Sequence, residues 1–161
     1  MENFSISINK DLVDVDLLLQ DQLSLPEAMR QLNLCEAFVG VLNGRTVAVC
    51  LLAKRKNYYD IVNLAVAALP EDTGVIYELL MYVMDYVRVQ GGRFVEIGMG
   101  NAELRRHALL IRLGFRVVGV WGDYFARGGE TAQPGKVVNR DLLRYRIDLN
   151  ELQPRYRQST F

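Results

Sequence analysis

Residues 37–67 read AFVGVLNGRTVAVCLLAKRKNYYDIVNLAVA. Two apolar runs flank Asn43-Gly44, the dipeptide that best supplies positive φ at both central positions of a type I′ turn. Ala37–Leu42 is therefore expected to pair antiparallel with Thr46–Lys54. A short polar connection leads to a third run, Tyr58–Ala67, whose middle is nearly all apolar, as a central strand covered on both faces requires.

Outward from this hairpin, the N-terminal stretch 2–8 alternates Phe4, Ile6 and Ile8 with polar neighbours, the period of a half-buried strand. Leu12, Val15, Leu18 and Leu19 recur at helical spacing behind Asp11, so an amphipathic helix is expected from there. Pro26 opens a second short helix to about Leu34. On the C-terminal side Pro70–Gly74 breaks the pattern, and Ile76, Leu79, Leu80, Val83 and Val87 mark one face of a helix ending at Gly91-Gly92. A strand (Phe94–Gly98), a helix (about Ala102–Leu113, stopped by Gly114) and a strand (Phe115–Trp121) follow. After a Gly-rich loop (ARGGETAQPG) comes a final strand in Asp141–Leu149, and the tail QPRYRQSTF is expected to fray. The strand-helix-strand step at 58–98 implies a right-handed crossover. The expected fold is α/β (α+β): a mixed, mostly antiparallel sheet with helices on both faces, in a single domain over 1–161.

The chain has 161 residues, half of them apolar, enough for one core without staples. Its 19 basic and 19 acidic side chains cancel, which argues against a nucleic-acid partner or a polybasic membrane tail. The balance is uneven: residues 1–87 carry six basic and twelve acidic groups, and 88–161 carry thirteen and seven. Cys35 and Cys50 have no ligand-like spacing to a histidine, so they read as buried thiols and no metal site is expected. The N-terminus lacks the pattern of a signal peptide and no run is long enough to span a bilayer, so the expectation is a cytoplasmic protein without a membrane partner.

Four segments carry the chemistry: IVNLAVA (61–67), EDTGVI (71–76), GMGNAELRRHALLIRLGF (98–115) and VVGVWGDYF (117–125). Their order and spacing, with NRD at 139–141, resemble the GNAT superfamily of acyl-CoA N-acyltransferases from about Glu36 to Leu149. The resemblance implies acetyl-CoA as cosubstrate and an amine of a small molecule as acceptor. It implies that backbone groups of Leu64, Ala65, Val66 and Ala67 hold the pantetheine arm, with an N–H near Val66 stabilising the oxyanion. It assigns the pyrophosphate to the loop and helix start at Thr73, Gly74 and Val75, and a contact with the CoA arm to Asn101, which also suits a helix cap.

The chain departs from the family pattern at two points. Glu71 and Asp72 stand beside the pyrophosphate position, where one unit-charge pair at about 5 Å costs roughly 3 kcal/mol at an effective dielectric near 20. Ile76 replaces a small residue there, and Leu110 occupies the position of the tyrosine that protonates the departing thiolate. Tyr124, His107 or Tyr59 are the substitutes for that acid. Asp60 and Glu96 are the candidate bases, although both also read as ordinary paired acids. His107 reads more readily as a solvated surface side chain. Two alternatives stand beside the N-acetyltransferase reading. One is a GNAT-fold binding or regulatory protein that has lost acetyl-CoA. The other is an associating protein, a homodimer joined through its C-terminal strand at a sheet edge.

Overall fold

Asn43 and Gly44 adopt φ of 52° and 78°, and the hairpin they close is formed as the sequence requires. The computed structural model describes residues 3–20, 23–68, 72–125 and 138–151, the side chains of Asp72 and Thr73 excepted. Glu71, the Gly-rich loop 126–137 and the tail from residue 152 lie outside the described residues. The chain divides into two compact units, Met1–Arg93 and Phe94–Phe161.

In the first unit, strands β1 (Phe4–Ile8), β2 (Glu36–Leu42), β3 (Arg45–Lys54) and β4 (Tyr59–Val66) form an antiparallel meander in that order. Alternation sorts their side chains onto two faces. Ala37, Val49, Leu51, Ala53 and Ala65 pack against Leu17 and Leu18 of α1 (Val15–Leu19) and Ala28 and Leu32 of α2 (Leu25–Leu34). Phe38 turns to the other face, where its ring meets those of Tyr82 and Tyr86 on α3 (Asp72–Val89) at 6.0 and 5.0 Å. Helices thus cover both faces of this sheet. The register of β4 slips so that Leu51 faces Asn63 while Leu52 faces Ile61, leaving Val62 as the extra residue of a bulge.

The helix expected from Asp11 is broken into two pieces. Asn9 caps a 3-10 turn over Lys10–Leu12, the chain extends at Val13 and Asp14, and Asp14 caps α1 anew by accepting from the Asp16 N–H. Two competing caps five residues apart divide what periodicity alone reads as one helix. Ser24, ahead of Pro26, caps α2.

In the second unit, β5 (Phe94–Gly100), β7 (Leu142–Asp148) and β6 (Arg116–Trp121) pair antiparallel in that spatial order. The final strand is therefore inserted between two others and is not the exposed edge that the dimer expectation placed it at; β6 has the edge. Val95, Ile97, Tyr145 and Ile147 form the buried face, and α4 (Leu104–Leu113) contributes Leu109, Leu110 and Leu113 to the core. Gly114 ends α4 at φ 106°, and the Gly114 and Phe115 N–H groups both reach back to the last turn.

Candidate functional site

In the first unit the candidate residues for an acyl thioester lie at the end of β4 and the start of α3. The Ala67 N–H donates to the Val47 carbonyl at 2.7 Å, which fixes the phase of the β3–β4 ladder. Leu64 and Val66 then stand in the alternate pairs, opposite Cys50 and Ala48, and their N–H and C=O groups point away from β3. The strand thus turns its Leu64 and Val66 amide dipoles toward its other edge. Leu64 and Ala65 are buried, and Val66 and Ala67 are half-buried.

The first turn of α3 holds Asp72, Thr73, Gly74 and Val75, whose N–H groups have no partner within the helix. Gly74 is exposed and Val75 is buried. Ile76 is only 3% exposed, so its side chain lies in the core and does not protrude from the helix end. Of Glu71 and Thr73 only their place in the chain is described.

Asp60 is buried at the opposite end of β4, where Arg55 pairs with it at 3.4 Å. About six residues of extended chain, on the order of 20 Å, separate it from Val66. Asn63 donates to the Gln31 side chain of α2 at 3.3 Å. Tyr59 is buried close to Gly92 and Val87. The structure does not gather Asp60 and Tyr59 with the Leu64–Ala67 run.

In the second unit three sequence motifs are woven together. Asn101 does not cap α4, whose N-cap is Glu103; its Oδ1 accepts from the Arg140 and Asp141 N–H groups at 2.7 and 2.9 Å. Asn139 returns the favour: its Oδ1 accepts from the Ala102 N–H at 2.8 Å and its amide nitrogen donates to Glu103. A Cβ on Gly100 would lie 2.3 Å from the Asn139 side chain, so glycine is required for this approach. Asp141 accepts from the Asp123 N–H, Arg140 donates to the Asp123 carboxylate at 2.6 Å, and the Phe125 N–H donates to the Arg140 carbonyl. Gly100-Asn101, Asp123 to Phe125, and Asn139 to Asp141 thus form one polar clasp. Asn139 was not picked out from sequence, although NRD was noticed as a motif.

His107 is not a solvated side chain. Its Nε2 lies 2.7 Å from the Gly100 carbonyl and its Nδ1 2.5 Å from the Tyr145 hydroxyl. The carbonyl only accepts, so Nε2 donates to it, and in the neutral ring the tyrosine hydroxyl donates to Nδ1. Burial pushes the Tyr145 phenol up from its ordinary value.

Glu96 is buried and paired with Arg144 at 3.1 Å and with Arg146, whose Nε donates at 2.8 Å. The Arg146 guanidinium also lies 4.4 Å from the Phe94 ring centroid. Arginines two apart on one strand share a face, which is the sequence signal for this pairing. Leu110 is 1% exposed, a core side chain in the place of the family tyrosine. Tyr124 is half exposed, with its ring against Trp121 and Phe125. Among the described residues no group of three His, Cys, Asp or Glu is placed to hold a metal, and no helix is long and apolar enough to cross a membrane.

No family model matches the chain. A curated relative, the uncharacterized N-acetyltransferase YvbK of Bacillus subtilis, is 29% identical over 100 residues, which cover 62% of this chain and 64% of that protein. The match thus spans just under two thirds of the relative's length. Among solved structures, an IAA acetyltransferase from Bacillus cereus superposes with a TM-score of 0.81 at 25% identity, over 91% of this chain and 99% of the other. A GNAT family acetyltransferase from Elizabethkingia anophelis with acetyl-CoA bound gives 0.80 at 21% identity, covering 92% and 99%. A Bacillus subtilis acetyltransferase in complex with CoA gives 0.75 at 24%, covering 91% and 97%. These last two likenesses are of fold.

Proposed function

We propose that this chain, a member of the GNAT superfamily of acetyltransferases, transfers an acetyl group from acetyl-CoA to an amine of a small molecule. The observation that carries the reading is the superposition on the acetyltransferase from Bacillus cereus over 91% of the chain. In the reaction the amine nitrogen attacks the thioester carbonyl, the C–S bond breaks, and CoA leaves as a thiol after taking a proton.

The chain's own residues are assigned as follows. The amide groups of Leu64 and Val66, turned away from β3, hold the pantetheine arm, and an N–H near Val66 stabilises the oxyanion. The Gly74 and Val75 N–H groups at the first turn of α3 donate to the pyrophosphate, with Thr73 beside them. Asn101 contacts the CoA arm through groups left after its Oδ1 has accepted two backbone N–H groups. Tyr124, half exposed beside Trp121 and Phe125, is the proton donor to the thiolate. Glu96 and Asp60, each paired with arginine, are the candidate bases, taking the proton of the ammonium through water.

Isothermal titration of the folded protein with acetyl-CoA and with CoA tests the reading. Micromolar binding, about −8 kcal/mol, followed by release of free CoA with a panel of small amines is the expected result. No heat from a protein that circular dichroism reports as folded overturns it and returns the binding-module alternative. Tyr124→Phe is expected to lower kcat while leaving the acetyl-CoA Kd unchanged.

A further inference from the structure

In the first unit a chain of polar side chains runs from the surface of α2 inward to β4. Arg30 donates twice to Glu27, at 2.8 and 2.7 Å, and these bonds hold the Glu27 carboxyl below the ordinary carboxylate range. The Gln31 Nε2 donates to Glu27 at 3.5 Å, and the Asn63 Nδ2 donates to the Gln31 Oε1 at 3.3 Å. Gln31 and Asn63 are both half-buried.

The direction of these bonds is dictated from the outer end. An ionised carboxylate only accepts, so Gln31 must turn its NH2 toward Glu27. The Gln31 oxygen is then left for Asn63, which must turn its own NH2 toward Gln31. The Asn63 Oδ1 is consequently on the side of its amide away from Gln31. Each bond polarises the next, so the charge on Glu27 adds to the negative character of that oxygen. Such an oxygen takes an N–H donor, and an ammonium most strongly.

Two further observations bear on what brings the donor. Asn63 pairs with Leu51, which places its side chain on the face of the sheet covered by α1 and α2. Residues 11–36, which include both helices, hold six acidic groups and one basic group, a balance that draws cations to this face. Asn63 also precedes Val66 by three residues, about 10 Å of strand. A group held at Asn63 is therefore too far from the thioester assigned beside Val66 to be the reacting nitrogen.

Resting on the acetyltransferase reading, we propose that the acceptor is a diamine or polyamine, of which one amine attacks the thioester while a second, as an ammonium, donates to the Asn63 Oδ1. The attacking nitrogen, a free amine at that moment, gives up one proton as its bond to the acetyl carbon forms and the C–S bond breaks. That proton ends on the CoA thiol, and the far ammonium keeps its charge throughout. Asn63 is thus a residue that determines specificity, and Gln31 and Glu27 are its positioning residues.

The test compares 1,6-diaminohexane, whose two nitrogens span a comparable length, with hexylamine, the same chain without the far nitrogen, by release of free CoA. Wild type is expected to show a kcat/KM about tenfold or more higher for the diamine, the worth of a hydrogen bond to a charged group. Asn63→Leu is expected to raise the KM for the diamine by about the same factor and to leave that for hexylamine unchanged, a split that general damage to the site would not produce. Glu27→Gln is the second variant, at the surface of α2. The carboxamide it introduces can accept from Arg30 and donate to Gln31, which lets both inner amides reverse and presents the Asn63 NH2 in place of the oxygen. It is expected to lower the preference for the diamine about threefold or more, with the melting temperature unchanged. Equal use of the two amines by wild type, or a preference that survives either substitution, overturns the proposal. Acetyl-CoA that binds but is passed to neither amine also overturns it, and leaves acyl transfer to other acceptors standing. No binding of acetyl-CoA removes the acetyltransferase reading itself, and this proposal with it.

Discussion

His107 joins the Gly100 carbonyl, which also accepts from the Glu103 N–H at 3.1 Å, to the buried Tyr145 hydroxyl. Leaving the hydroxyl unpaired costs about 1–3 kcal/mol. His107→Leu is accordingly expected to lower the unfolding free energy in urea by about 2 kcal/mol, and Tyr145→Phe by about 1 kcal/mol. A loss below half a kcal/mol for His107→Leu rejects the linking role. The sequence offered little warning of this: Arg105 and Arg106 beside the histidine suggested a wet helix face, and Tyr145 lies 38 residues away. The same distance hid the partners of Glu96, which are 48 and 50 residues along the chain. Single side chains whose partners come from remote strands are recognised as polar from sequence, but what they bond to is set by strand register.

At the scale of elements, local chemistry was the better guide. The Asn43-Gly44 turn and the end of α4 both follow from residues that tolerate positive φ. Gly114 at φ 106° is expected to tolerate alanine poorly: Gly114→Ala costs about 1–2 kcal/mol by equilibrium denaturation, with helix content retained. An unchanged midpoint contradicts the assigned cap. The N-terminal helix was misread because Asn9 and Asp14 each capture a nearby N–H, and periodicity does not register which cap wins. The place of the final strand differs from the edge expected of it for another reason. Nothing in Leu142–Asp148 states that it inserts beside β5, since that depends on pairing over about fifty residues.

For the whole molecule, the resemblance to the GNAT superfamily was legible in four motifs spread over 61–125, and the likeness of fold to solved acetyltransferases agrees with it. The assignments within the site were less legible. Leu110 and Ile76, where the chain departs from the family pattern, are both core residues, and burial of that kind is not read from sequence. Burial also sets a property of the molecule as a whole. It pushes the Cys50 thiol up, with Cys35 adding to the effect. In the unfolded chain the thiol ionises near pH 8.5, while in the folded chain it stays protonated. The unfolded state therefore sheds this proton first, and stability is full below about pH 8.5 and falls as pH rises above it. Cys50→Ala is expected to flatten the alkaline limb of a denaturation series against pH. An identical slope in the variant would assign the decline to other groups.

The clasp has a consequence for changes of chain length. Phe125 and Arg140 are bonded to each other, and Asp123 and Asn101 hold the same corner. The two posts on either side of 126–137 are therefore held at a fixed separation by bonds among described residues. Doubling the length of chain between two fixed posts costs only about 0.6 kcal/mol of closure entropy. An insertion between them is accordingly expected to leave the strands on either side in place, which makes it the cheapest position for a grafted peptide.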